Sequence, residues 1–129
     1  MSEAQITKTY GPYSPARVVG DMVYISGQVG VDPETKTAGS DVTAQTKQVL
    51  ENMARVLASE DLELSDVVKT TIYLRDMADF AEVNEVYGSY FSQPFPTRAC
   101  VEVSGLPRVG GDTEILIEIE AMAQKRRTL

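Results

Sequence analysis

Glu114-Ile115-Leu116-Ile117-Glu118-Ile119-Glu120-Ala121-Met122 reads as a strand with two unlike faces. Side chains alternate along a strand, so Ile115, Ile117 and Ile119 share one side. Glu114, Leu116, Glu118 and Glu120 share the other. Thr97-Arg98-Ala99-Cys100-Val101-Glu102-Val103 repeats the pattern, with Ala99, Val101 and Val103 opposed to Arg98, Cys100 and Glu102. Val67 to Leu74 is a third run rich in β-branched residues. Ala16 to Val19 and Met22 to Ser26 flank Gly20-Asp21, a two-residue turn that predicts a β-hairpin.

Between these strands, two stretches follow a helical period. From Asp41 to Ala58, steps of three and four put Val42, Thr46, Val49, Leu50, Met53, Val56 and Leu57 on one stripe. Gly39 and Ser40 stand before it as entry and cap. From Met77 to Phe91, the inward set is Phe80, Val83, Tyr87, Tyr90 and Phe91. Asp76 is the expected N-cap, and Pro94 forbids continuation. The order is hairpin, helix, strand, helix, strand, strand. It predicts an α+β fold, a single domain over residues 1–129 with two helices on one face of a mixed sheet. Two helices cover one side only, and the other side mixes Leu116, Cys100 and Met122 with charges. A second subunit packing there explains such a face; a one-sided sheet open to water is the alternative.

Composition narrows the chemistry. The chain of 129 residues carries a formal net charge of -7, which repels polyanions and argues against nucleic acid as a partner. Lys125, Arg126 and Arg127 form its basic cluster, read as a solvated tail. A single cysteine, Cys100, excludes an intrachain disulfide and suits a reducing compartment. Residues 1–9 lack the apolar core of a signal peptide, and no run is long enough to span a membrane, so the cytoplasm is expected. Histidine is absent, which removes the commonest general base, metal ligand and partner for a Ser or Cys nucleophile. Carboxylates, Arg, Tyr, hydroxyls, one thiol and the backbone remain.

Arg98, held in a strand after Pro96-Thr97, offers a rigid fork for a carboxylate ligand; the other reading is an ion pair with Glu102, Glu118 or Glu120. Glu118, expected on the equivalent face of a neighbouring strand, could orient or deprotonate a water, or could be a salt-bridge partner. Cys100 is either a nucleophile beside a cation or a small buried filler. Tyr13 offers a hydroxyl or packs over a sheet edge. Gly27, in Ser26-Gly27-Gln28, admits a ligand to the backbone or marks a β-bulge. Asn84 hydrogen-bonds across an interface or satisfies nearby backbone. Gly110-Gly111 is a turn.

Gly11-Pro12-Tyr13-Ser14, Ser26-Gly27-Gln28, Val68-Lys69-Thr70-Thr71-Ile72-Tyr73-Leu74 and Phe80-Ala81-Glu82-Val83-Asn84 occur in this order. Pro96-Thr97-Arg98-Ala99-Cys100-Val101-Glu102-Val103 and Ile117-Glu118-Ile119-Glu120-Ala121-Met122-Ala123 follow. Together, over nearly the whole chain, they resemble the Rid/YjgF family. The resemblance implies a chorismate-mutase-like fold and a homotrimer with a central β-barrel and active sites between subunits. It further implies cofactor-free hydrolysis of 2-imino acids, or their enamine forms, to 2-oxo acids and ammonia. The family's essential arginine falls on Arg98 and its water-positioning glutamate on Glu118. Its other pocket residues fall on Tyr13, Gly27, Asn84 and Cys100. The chain departs from the family pattern in a longer 108–114 connection, a shorter one from Phe91 to Phe95, and Pro15 where glutamine is common; these bear on the pocket rim. A 2-oxo acid-binding regulatory module is a second reading, and a translation-inhibiting or ribonuclease-like protein a third.

Overall fold

The computed structural model describes residues 9–126. Its strands are β1 (Ala16–Val19), β2 (Met22–Val29), β3 (Val67–Leu74), β4 (Thr97–Glu102) and β5 (Ile117–Gln124). They form one mixed sheet in the order β1-β2-β5-β3-β4. Only β3 and β4 run parallel, and the helix between them supplies the crossover that a parallel pair needs. The helices α1 (Val42–Ala58) and α2 (Phe80–Tyr90) pack against each other, with the buried side of the sheet beneath them.

The apolar stripe of α1 is buried as its period demands, with Val49, Leu50, Met53 and Leu57 wholly inaccessible. Ile117, Ile119, Ala121 and Ala123 of β5 meet it from below, together with Val23 and Ile25 of β2 and Ile72 and Leu74 of β3. The capping residue is Asp41, not Ser40: its extended backbone lets the carboxylate accept from Ala44 N at 2.8 Å. The second helix also begins later than its period suggests. Residues Met77–Asp79 form a separate 3-10 turn, because the Asp76 carboxylate accepts from Ala78 N and Glu102 accepts from Met77 N. Phe80, expected inside, is exposed, whereas Val86 is buried.

Two amide side chains lie within the α1 stripe, beside the buried hydroxyl of Thr46. Gln45, fully buried, donates to Gly39 O and Glu114 O, and its Oε1 accepts from Leu116 N. By engaging the backbone at 114 and 116 it delays β5, which starts at Ile117 and not at Glu114. Asn52 donates to Val29 O and Val31 O and so fixes the chain leaving β2. The basic cluster is no free tail. Lys125 pairs with Glu60 at 3.6 Å, and Arg126 grips Asp66 through two hydrogen bonds of 2.8 Å. Arg127 and residues 1–8 lie outside the described residues.

Candidate active site

Register decides which side chains can meet. Thr70, Ile72 and Leu74 of β3 stand opposite Arg98, Cys100 and Glu102 of β4, so Arg98 faces the helix side of the sheet. Tyr73 and Thr71 stand opposite Glu118 and Glu120 of β5, so these carboxylates face the open side. The expectation of one shared face for Arg98 and Glu118 therefore fails. β5 does not neighbour β4; β3 lies between them, and its buried series sets the parity of both. Cys100 likewise leaves the open face, where Ala99 and Val101 take its place. Within one chain, Arg98 and Glu118 cannot act on the same small molecule.

On the helix side, β4 is an edge strand that the helices leave largely uncovered, so Arg98 is exposed. Its guanidinium carbon sits 5.1 Å from the centre of the Tyr87 ring and 5.5 Å from that of Phe80. Such contacts contribute roughly 0.5–1 kcal/mol each at an exposed position, and they orient the planar group. Tyr87 is itself anchored: its hydroxyl meets Thr70 Oγ1 at 2.8 Å inside the core, and its ring stacks on Phe91 at 4.5 Å. Arg98 makes no ion pair among the described residues. The three carboxylates expected as its partners have other contacts: Glu102 with Met77 N, Glu120 with the Tyr73 hydroxyl, and Glu118 lying over Gly27. The ion-pair reading is thus set aside, and a fork with free donors remains.

Asn84 shares the α2 stripe of Phe80 and Tyr87, and its Oδ1 is buried without a hydrogen-bond partner in this chain. A buried acceptor left this way carries a desolvation cost until a donor arrives. Cys100, half-buried against the core, has its thiol pushed up by burial, with Arg98 pulling the other way. That direction favours a filler over a thiolate nucleophile.

The second cluster is on β2. Between Ile25 and Gln28 the register with β5 slips by one residue, so the strand does not end at Ser26-Gly27 but bulges and continues to Val29. The bulge brings Gly27 against Glu118: a Cβ at 27 would fall 2.7 Å from the Glu118 Cδ and 3.0 Å from its Cγ. A side chain at 27 would have to displace the Glu118 carboxyl, so glycine lets the carboxylate lie against the backbone of β2. Ser26 stitches the preceding loop down, its hydroxyl donating to Ser14 O at 2.6 Å and its N–H to Pro15 O at 3.0 Å. This places exposed Tyr13 in one small cleft with Gly27 and Asn52. Glu118 is half-buried, and burial first, then the charge of Glu120, raises its carboxyl above the usual range.

The structure therefore places the candidates in two regions: Arg98 and Cys100 on β4 beside the α2 stripe of Asn84, and Glu118 against Gly27, which also lines the cleft of Tyr13. A hollow of about 450 Å³ lies elsewhere, between the helix ends and Pro94 and Pro96, and holds none of the six. Among the described residues no three Cys, Asp or Glu side chains gather as metal ligands, and no helix is long and apolar enough to cross a membrane. Sequence reasoning overlooked Gln45, Asn52 and Tyr73. For the first two, the signal was present as amides interrupting an apolar stripe.

The family model described as Endoribonuclease L-PSP matches residues 3–125. A RutC family protein of Pyrococcus abyssi is 46% identical over 119 residues, covering 92% of this chain and 90% of its own. A 2-iminobutanoate/2-iminopropanoate deaminase of Salmonella typhimurium is 43% identical over 119 residues, covering 90% and 89%. The solved structure of RidA from an Antarctic Psychrobacter superposes with a TM-score of 0.88 at 39% identity, covering 95% of this chain and 96% of that one. The chain belongs to the Rid/YjgF family.

Proposed function

We propose that this protein is a cofactor-independent 2-iminobutanoate/2-iminopropanoate deaminase of the cytoplasm, working as a homotrimer with its sites between chains. Arg98, Asn84 and Cys100 come from one chain, and Tyr13, Gly27 and Glu118 from its neighbour. The observation that carries the reading is Arg98, a preorganised guanidinium without a carboxylate of its own. Its separation from Glu118 by the sheet supports a site completed by a second copy. The relatives named as deaminases supply the substrate class.

The chemistry asks for little. Arg98 holds the substrate carboxylate through parallel N–H bonds. The imine carbon is already electrophilic, and Glu118 accepts a proton from the water that attacks it. Glu118 returns that proton to the carbinolamine nitrogen, the C–N bond breaks as the hydroxyl yields its own proton to Glu118, ammonia leaves and the 2-oxo acid remains. Catalysis is then positioning plus proton transfer, with Asn84 offering an acceptor and Tyr13 a hydroxyl at the rim. The endoribonuclease description of the family model would ask for a phosphate-binding surface. The net charge of -7, and the engagement of Lys125 and Arg126 by acidic partners, favour the imine reading.

A dehydratase that generates the imine in the presence of semicarbazide provides the assay. The protein should divert imine from the semicarbazone. Losing a charged contact costs roughly 2–5 kcal/mol, so Arg98→Ala should lower kcat/KM by about 30-fold to several thousand-fold. Its sedimentation should stay that of a trimer. Undiminished turnover by this variant, or a monomeric wild type at micromolar concentration, would overturn the assignment.

A further inference from the structure

Tyr73 enters none of the roles above, yet it stands directly opposite Glu118 on the open face of the sheet. Its hydroxyl donates to Glu120 Oε1, the next carboxylate along that face of β5. The two glutamates are two residues apart on one strand, so their side chains are neighbours. Glu118 is thus enclosed on three sides: Gly27 of β2 beneath its carboxylate, the Tyr73 ring across β3, and Glu120 along β5. Farther along the same face, Lys69 donates to Thr71 at 3.2 Å, and Tyr24 stands opposite Met122. Tyr13 and Tyr10 line the cleft on the Gly27 side.

We propose that Tyr73 is a positioning residue: by holding Glu120 in place, it keeps a second negative charge beside Glu118 and makes Glu118 a better proton acceptor from the attacking water. The inference rests on the hydrolytic role given to Glu118.

The physical argument has two parts. A charge that swings freely into water is screened, whereas one tethered by a hydrogen bond acts on its neighbour at fixed distance. A phenol works as that tether only while it keeps its proton. The hydrogen bond to Glu120, with burial and the two nearby carboxylates, pushes the Tyr73 hydroxyl above its ordinary value, so it remains a donor across the neutral range. Glu120 then repels a second negative charge on Glu118, which favours the protonated form and strengthens the base. A general base gains from a pKa closer to the working pH.

The test is a carboxyl 13C NMR titration of the assembled, glutamate-labelled protein, with the Glu118 signal assigned by its loss in Glu118→Gln. In Tyr73→Phe, which keeps the ring and removes only the oxygen, the Glu118 midpoint should move to lower pH. Glu120→Gln should move it in the same direction, and Tyr73→Phe added to Glu120→Gln should move it no farther. In the imine assay, Tyr73→Phe should carry the acid limb of kcat to lower pH while the plateau falls. An unchanged Glu118 midpoint in Tyr73→Phe overturns the proposal. So does an equal Tyr73→Phe shift with Glu120 already replaced, because the ring would then act by packing alone. If the midpoints move as expected but no form of the protein consumes imine, the tether stands and the deaminase reading fails. If imine is consumed and the midpoint does not move, the tether alone fails.

Discussion

Replacing Gly27 with alanine inserts one methyl group where the chain has left room for none. The added Cβ would sit 2.7 Å from Glu118 Cδ and 3.0 Å from Cγ, and closer still to one carboxylate oxygen. Ordinary carbon contacts begin near 3.5 Å, so the carboxyl must retreat by roughly 0.7–1 Å. A misplacement of about 1 Å in a positioned catalytic group costs on the order of 100-fold in rate, about 2.7 kcal/mol. The methyl meets the free end of a half-buried side chain, not backbone, so the fold should absorb it with little loss of stability. Gly27→Ala should therefore unfold in urea close to wild type, yet lose about two orders of magnitude in kcat/KM for imine hydrolysis. Carboxylate binding at Arg98, followed by calorimetry with a 2-oxo acid, should weaken far less. Wild-type turnover in a variant shown to be folded would refute the idea that the close approach at Gly27 sets the position of Glu118.

Three further outcomes follow from the same geometry. Cys100→Ala should retain imine turnover, because burial holds the thiol away from its thiolate form; abolished activity in a correctly assembled variant would bring the sulfur back into the chemistry. Gln45→Leu removes three buried hydrogen bonds and leaves two carbonyls and an amide unsatisfied, so urea unfolding should report a loss of roughly 2–4 kcal/mol. Glu118 is raised in the folded protein, so the native state binds its proton more tightly than the unfolded chain and stability declines as pH rises through the window above the ordinary carboxylate value. Glu118→Gln should lack that decline, and its urea midpoint relative to wild type should improve from pH 4 to pH 7. Parallel stability curves for the two proteins would contradict the burial argument.

The buried half of the molecule was legible from periodicity alone. The α1 stripe and the isoleucines of β5 repeat an apolar residue at the spacing of their element, and one solution buries them both. The Gly20-Asp21 hairpin was equally plain, since a two-residue turn leaves no choice of partner strand. Strand order was not legible. Nothing local in Thr97 to Glu102 reveals that β3 intervenes between it and β5, and this missing fact reversed the relation of Arg98 to Glu118. Parity within each strand was read correctly; parity between strands needs the register. The limits of β2 and β5 were misjudged for a similar reason. A bulge at Gly27 and the long-range capture of residues 114 and 116 by Gln45 come from tertiary contacts that a local pattern does not carry. Arg98 and Glu118 stood out by type and motif, while Tyr73 looked like any aromatic residue in a strand until its hydroxyl partner was known.

A catalyst divided across a sheet is a property of neighbours, not of chains. If Arg98 serves the Glu118 of the next copy, a protein crippled by Arg98→Ala and another crippled by Glu118→Gln each keep the half that the other lacks. Dissociated together and allowed to reassemble at equal amounts, they should regain about a quarter of the sites, those where an intact arginine happens to face an intact glutamate. Two silent genes in one cell would then make one working enzyme.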